Sequence, residues 1–537
     1  MNLQNVGTNG LQVEIENNGT LDLNGGFVSL RDTGHIENNG LMLLAVGSGT
    51  STVTGSSLNI TVPFIANNGT FNKTGSGNVD FGSTQAPLTV VNDGDLNVTQ
   101  GRIAFKQLFT NMGELDVSAA AIAEINGPST HDPQSVLSIQ GGLEFRGSAA
   151  NLHDLLGQTT ISGSLYIERA LVTLHDAITP SAPIRVSQFG TLRSDIDQTW
   201  PMGLDLSGGT GPTLDGAGDI MLGGASVLRG TMSGAGTTTI GATATLSTVT
   251  PNGGDIPTLA RTLENLGTFT VANVSVVDFN NGTLNNHANL ILSATSLALR
   301  GIGGVNAIVN TGTLDKNLTT INTLANLGAP LVLVNGGTVN INQGTLQLDC
   351  GSSGEGTIIV DSNATLRINS QCSAGSVTND GTVWLSPQKR LTLSGTYMQS
   401  ATGKLQATVI TPVAPLVTTA GAMTIAGAVD LLMTPTPTTA TTVEVLYSAE
   451  ASINGDFLSR VLRPQGILVH DADSIDWIAY RVGDANGDNV IDVNDLLAVV
   501  STWGTCPTPP TNCPSDFDSN GVVNVNDLLA VISNWGS

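Results

Sequence analysis

The stretch HDPQSVLSIQGGLEFRGSAANL, residues 131–152, lies without a gap on HDLLGQTTISGSLYIERALVTL, residues 153–174, and a third copy opens at His175-Asp176. Ile139 falls on Ile161, Gly141 on Gly163, Leu143 on Leu165, Phe145 on Ile167 and Leu152 on Leu174. The period is about 22 residues, the length of one β-solenoid coil on a repeat scale of roughly 20–50 residues. Equal coils place equivalent residues one above another. Arg146 and Glu168 are therefore expected to stack on the outside, and Cys350 and Cys372, separated by the same interval, to stack on successive coils.

A shorter word repeats over a longer range. Asn-x-Gly-x-(Leu/Val/Phe) reads NNGTL at 17–21, NNGLM at 38–42, NNGTF at 67–71, NDGDL at 92–96 and NMGEL at 111–115. It resumes as NLGTF at 265–269, NNGTL at 280–284, NTGTL at 310–314 and NDGTV at 379–383. Each word joins a turn to a strand. Asn tolerates left-handed backbone and can bond its own chain, Gly supplies positive φ, and Thr then Leu start an out–in alternation. Short strands with glycine turns fit a sandwich, a barrel or a solenoid, and internal repetition decides for the solenoid. Such a stack pairs each strand with its neighbours and leaves edges only at its ends, where caps are needed. The pattern resembles the parallel β-helix passengers of bacterial surface and autotransporter-like proteins. That resemblance covers most of residues 1–400 and implies a right-handed parallel β-helix with about 20–25 residues per coil.

The expected chain is mainly β, in three parts. Residues 1–394 form the β-helix; the chain opens in mid-pattern, without a signal peptide's basic and apolar regions, so N-terminal truncation is expected. Residues 395–480 lose the Asn-Gly period and read as a β cap, with LMTPTPTTATT (432–442) as a loop in it. Residues 481–537 form a small α-helical domain.

Composition narrows the function. Among 537 residues 12% are charged, 4% are aromatic and the net charge is −24, so the core is expected from Val, Ile, Leu and Ala rather than rings. The 19 Lys and Arg are scattered, which argues against nucleic acid, whose binding needs clustered cations. No apolar run approaches the roughly 20 residues of a membrane span.

The tail carries the clearest chemistry. GDANGDNVIDVNDLLAVVSTWG (483–504) returns as SDFDSNGVVNVNDLLAVISNWG (515–536). Counted from Asp484, oxygen donors fall at positions 1, 3, 5, 9 and 12: Asp484, Asn486, Asp488, Asp492 and Asp495, with the Val490 carbonyl at 7. The second loop offers Asp516, Asp518, Asn520, Asn524 and Asp527, with the Val522 carbonyl at 7. This is EF-hand spacing, in which a tight loop turns alternate side chains onto one hard cation, so two Ca2+ ions are expected. Position 12 is Asp rather than Glu in both loops, and position 6 is Asn489 in the first and Gly521 in the second. Four carboxylates against three favour tighter binding at the first loop. After each loop, Leu496, Leu497, Val500 and Trp503, then Leu528, Leu529, Ile532 and Trp535, sit at helical spacing, with Gly504 and Gly536 as stop signals.

A loop followed by one helix, duplicated, resembles the type I dockerin module. The resemblance covers about 481–537. It implies folding on calcium and attachment of a carrier to a cohesin-like or other surface protein, usually in extracellular polysaccharide-degrading systems. The residues after ligand 9 are Val493-Asn494 and Val525-Asn526 rather than the usual Ser/Thr pair, which weakens the inference to cohesin more than that to calcium. Cys506 and Cys513 flank a Pro-rich turn and can form a disulfide in an oxidising compartment; with no nearby His or third Cys, zinc is not expected.

For catalysis the candidate is a ladder of His131/Asp132, His153/Asp154 and His175/Asp176, able to hold a metal or move protons if stacked. The blander reading is a repeated strand end. Glu144, Glu168 and Asp176 lie nearby, but no pair stands out, and no Asp run with Arg and Lys resembles a pectate lyase site. The expectation is a secreted or cell-surface calcium-binding protein docking through its tail, with polysaccharide contact through its coils. The alternative is a polysaccharide hydrolase or lyase carrying a dockerin.

Overall fold

The computed structural model describes residues 14–536 apart from 24–27, 31–33, 56–61, 84, 149–150, 250–254, 273, 275, 296–297, 411–414, 508–512 and 519. The expected truncation concerns residues 1–13, and the Pro-rich turn spans 508–512; both lie outside the described residues. The chain is a parallel β-solenoid whose contacts divide into two units, Met1–Phe269 and Thr270–Ser537.

In the first unit one coil comprises Thr89–Asn92, Asp95–Val98 and Gly101–Phe105, and the next comprises Phe109–Asn111, Glu114–Val117 and Ala121–Ile125. All three faces pair in parallel, with Val90 opposite Phe109, Leu96 opposite Leu115 and Ile103 opposite Ala123. Alternation does the sorting: Leu96 and Val98 point inward while Asp95 and Asn97 face out. A column of Leu96, Leu115 and Leu137, each fully buried, results. Rings contribute more than composition implied. Phe71, Phe81, Phe105 and Phe109 pack in sequence inside the coils, with centroids between 4.1 and 5.9 Å apart.

The Asn-x-Gly word keeps part of the expected turn chemistry, with Asn17 Oδ1 accepting from the Gly19 N–H at 3.2 Å and Asn265 Oδ1 from the Gly267 N–H at 3.3 Å, and adds a buried role to it. Asn38, Asn67, Asn92 and Asn111 are fully buried, and none has a positive φ. The first three amides donate to the next coil, Asn38 Nδ2 to Asn67 Oδ1 at 2.6 Å, Asn67 to Asn92 at 2.7 Å and Asn92 to Asn111 at 2.8 Å, and Asn111 ends the ladder by donating to the Gly113 carbonyl at 3.2 Å. The second amide hydrogen of Asn67 meets the Asp95 carbonyl at 3.1 Å, so burial costs no unsatisfied donor there. The glycines serve close approach: a Cβ on Gly94 would lie 2.1 Å from the Gly69 carbonyl oxygen of the preceding coil.

The 22-residue register holds on two faces and slips on the third. Ile139 opposes Ile161, Phe145 opposes Ile167 and Arg146 opposes Glu168, as expected. However, Ser129 rather than His131 opposes His153, and Leu152 opposes Leu171 rather than Leu174. The corner after Arg146 lengthens one coil and the next is shorter, so the mean period conceals unequal coils.

The second unit repeats the plan. Leu331–Asn335, Thr338–Ile341 and Gly344–Leu348 pair in parallel with Gly351–Ser353, Thr357–Val360 and Ala364–Ile368. Its own amide ladder runs Asn286 to Asn310 at 2.6 Å and on to Asn335 at 2.7 Å. Cys372 opposes Ser352, not Cys350, and both cysteines are buried free thiols, each pushed up to about 12, chiefly by burial. Parallel coiling continues beyond residue 394, through Lys404–Val409 and Ala428–Met433 to Ser459–Arg463. The cap therefore starts later than the loss of Asn-Gly suggests, because Gln399 and Thr419 occupy inward positions without that word. The stacking direction reverses where Ser474–Ala479 lies antiparallel between Thr441–Ser448 and Gly466–His470. Among the described residues the helical part is two nine-residue helices, α1 (Val493–Ser501) and α2 (Val525–Ser533).

Candidate metal centre

The tail folds around a small core of Ile491, Val499, Phe517, Val523 and Val531. Gly504–Thr505 pairs with Val522–Val523, and Cys506 is disulfide-bonded to Cys513. These cross-links bring both loops onto the paired helices.

In the first loop Asp484 is fully buried and accepts backbone N–H groups from Gly487 at 2.7 Å, Asn489 at 2.9 Å and Asp488 at 3.1 Å. Asp495, also buried, accepts from Ala485 at 2.8 Å, Asp492 at 2.9 Å and Asn486 at 3.2 Å. One oxygen from each of Asp484, Asp488 and Asp495 lies within 4.8 Å of the others. The second loop gathers Asp516, Asp518 and Asp527 in the same way. The third carboxylate thus comes from position 5 in the first loop and position 3 in the second.

The remaining donors have local partners. The Asn486 amide reaches Asp488, and that of Asn520 reaches Asp518, both at 2.9 Å. Asp492 and Asn524, at position 9, are the N-caps of α1 and α2, accepting from Asn494 at 2.7 Å and Asn526 at 2.8 Å. The Val522 carbonyl accepts from Asn524 Nδ2 at 3.2 Å. The argument for a tighter first loop counted Asp492 among the ligands, whereas the structure groups three carboxylates in each loop. Asn489 takes φ 67°, and its Oδ1 accepts from the Ala440 N–H of the loop before the cap at 2.6 Å.

Burial raises Asp484 above the usual carboxylate range; backbone donors from Asn489 and Gly487 oppose the rise, and Asp495 and Asp488 add to it. Burial likewise raises Asp516, with Asp518 and Asp527 contributing. Buried oxygens held in position by backbone N–H groups, with their charge poorly compensated, suit a hard cation such as Ca2+.

The His-Asp ladder does not assemble. His131 and His153 are buried inside the coils on either side of Ser129, whose Oγ lies 3.2 Å from His131 Nε2 and 2.8 Å from His153 Nδ1. His175 is outside, bonded to Asp154. Asp132 accepts from the Gln134 N–H and Asp176 from the Thr159 N–H. The register slip separates what the sequence aligned.

A charged face emerges instead on the first unit. Arg102 bridges Asp80 (2.8 Å) and Glu124, which also accepts from Lys106 at 2.9 Å. Arg146 bridges Glu144 at 2.9 Å and Glu168 at 3.3 Å, and Arg146 and Arg185 both lie against the Tyr166 ring. Burial acts to raise Glu124, but Lys106 and Arg102 outweigh it and hold the carboxyl below its usual range. Only Arg146 over Glu168 was legible beforehand; the other members are spread through the sequence and become neighbours only through register. No protein-family model, curated protein or solved structure matches the chain.

Proposed function

We propose that residues 481–537 form a two-ion calcium module of the dockerin-like, EF-hand type, which attaches a secreted or cell-surface β-solenoid to a protein partner. The observation that carries this reading is the apolar outer face of both helices beside the gathered carboxylates. Val493, Leu497, Val500 and Trp503 on and just beyond α1, and Val525, Leu529, Ile532 and Trp535 at α2, are each between 49% and 58% exposed. Contiguous exposed apolar surface of this kind marks contact with a partner. The partner is a cohesin-like or other surface protein, and the coils supply polysaccharide contact.

When bound, calcium supplies positive charge that locks loop to helix. Asp484, Asp488 and Asp495 would hold the first ion and Asp516, Asp518 and Asp527 the second, with Asn486, Asn520 and the Val490 and Val522 carbonyls completing the shells. The capping residues Asp492 and Asn524 fix each helix start against its loop. A polysaccharide hydrolase or lyase is the competing reading. The charged face does not favour it: Glu124 sits below its usual range, whereas a glycosidase's general acid needs a raised one.

Calorimetric titration of the full chain is expected to count two calcium ions, with Asp495→Asn removing one and Asp527→Asn the other; no uptake would overturn the reading. Full-length protein should retain a secreted or envelope protein in calcium and release it in chelator. A Leu497→Asp/Leu529→Asp variant should retain none, and capture insensitive to that change would refute docking through the helices.

A further inference from the structure

Outward residues of the charged face run in register along the stack: Asp80, Ala104, Glu124, Glu144, Tyr166 and Arg185. At the Asp80 end a cavity of about 610 Å³ opens, a size typical of small-ligand sites. A second hollow of about 300 Å³ lies further along the row, beside Glu144, Arg146, Tyr166 and Arg185.

The hydrogen-bonding balance of the larger cavity identifies the class of ligand. Asp80 Oδ1 is taken by Arg102, leaving Oδ2 as an acceptor. Gln107 uses its amide nitrogen on the Ser83 carbonyl at 3.0 Å, leaving Oε1 as a second acceptor. Lys106 donates to Glu124 and, at 3.4 Å, to Asn126 Oδ1, with one of its three N–H groups left over. Among the described residues, the amide hydrogens of Asn126 have no acceptor, so the wall offers donors and acceptors side by side. Of the charged groups on the wall, the Asp80 carboxylate opposes an anion and the Lys106 ammonium opposes a cation. A ligand rich in hydroxyls, each able to give and to accept, satisfies both sets without net charge.

The ion pairs alone could be explained as cross-coil struts. Struts do not account for an amide oxygen and a primary amide left open on the cavity wall. We infer that this face binds a neutral oligosaccharide laid along the stacking direction, with Asn126, Gln107, Lys106 and Asp80 as its anchoring groups, an inference that rests on the polysaccharide contact proposed for the coils.

The test is titration of the full chain with neutral hexasaccharides of glucose, xylose and mannose, with hexagalacturonate as the acidic control, in calcium and in chelator. At least one neutral hexasaccharide should bind, equally well in both buffers, because the face does not depend on the tail. Asn126→Ala and Gln107→Ala leave every ion pair of the face intact and should each weaken binding about three- to tenfold. Thr239→Ala, on an outward threonine elsewhere in the unit, should not. Gln107→Glu serves should an alanine variant fail to fold, and thermal unfolding of each variant checks this. No binding of any neutral hexasaccharide, binding untouched by the face variants, or binding of the acid alone would overturn the inference.

Discussion

Asn67 shows how one side chain can carry two messages. Its place before x-Gly marks a turn, yet its amide lies inside the coils, donating to Asn92 and accepting from Asn38. The inward direction was available from alternation: Ile65 points in, Ala66 out and Asn67 in. Asn67→Ala removes one rung and leaves the Asn38 donor buried with one partner fewer. It should cost about 1–3 kcal/mol in denaturant unfolding, whereas an exposed asparagine of the same word, such as Asn68, should cost little. The buried histidines make a second prediction. Burial, with the neighbouring imidazole, lowers His131 to about 4, and burial lowers His153 to about 4. Both therefore fold neutral and titrate near 6.5 once unfolded. Their contribution is complete above pH 6.5 and is lost as pH falls towards 4, by up to about 3 kcal/mol per ring. Stability measured across that window should slope steeply in the native protein and less in His131→Leu/His153→Leu.

At the level of strands and helices, most of what alternation and spacing implied is present, and the exceptions have specific causes. The inward leucines of Asp95–Val98, Glu114–Val117 and Val136–Ile139 were readable because each strand is bounded by a repeated turn. Leu152 was misplaced because the bend after Arg146 takes up extra residues, which an ungapped alignment cannot represent. The tail helices were legible from Leu, Val and Trp spacing, but their stops are Thr502 and Asn534 rather than the glycines beyond. Position 9 of each loop was legible only as a donor, and its capping role needed backbone geometry. Asn524→Ala should therefore lower stability by about 1 kcal/mol in chelator as well as in calcium. A loss confined to calcium would make Asn524 a ligand first.

Across the chain, charge is sparse, and one face of the first unit joins charged residues from successive coils. Glu124 and Lys106 lie 18 residues apart in sequence and Arg102 and Glu124 lie 22 apart, distances at which no local motif joins them. This is why the tail could be read from its sequence while the charged face could not. The acidic loops are contiguous words, whereas the face is written one letter per coil.

The reversal of direction at Ser474–Ala479 has a further consequence. A bare end of parallel coils is a template on which the first coil of another molecule could crystallise, with each addition presenting the same template again. On this face Ser474–Ala479 lies antiparallel on the last coil strand, with the hairpin strand Gly466–His470 beyond it, so the next coil position is already occupied by strands of this chain. Ile475→Pro, at a residue paired with both neighbouring strands, should reopen that end, and light scattering should then record concentration-dependent growth of linear filaments.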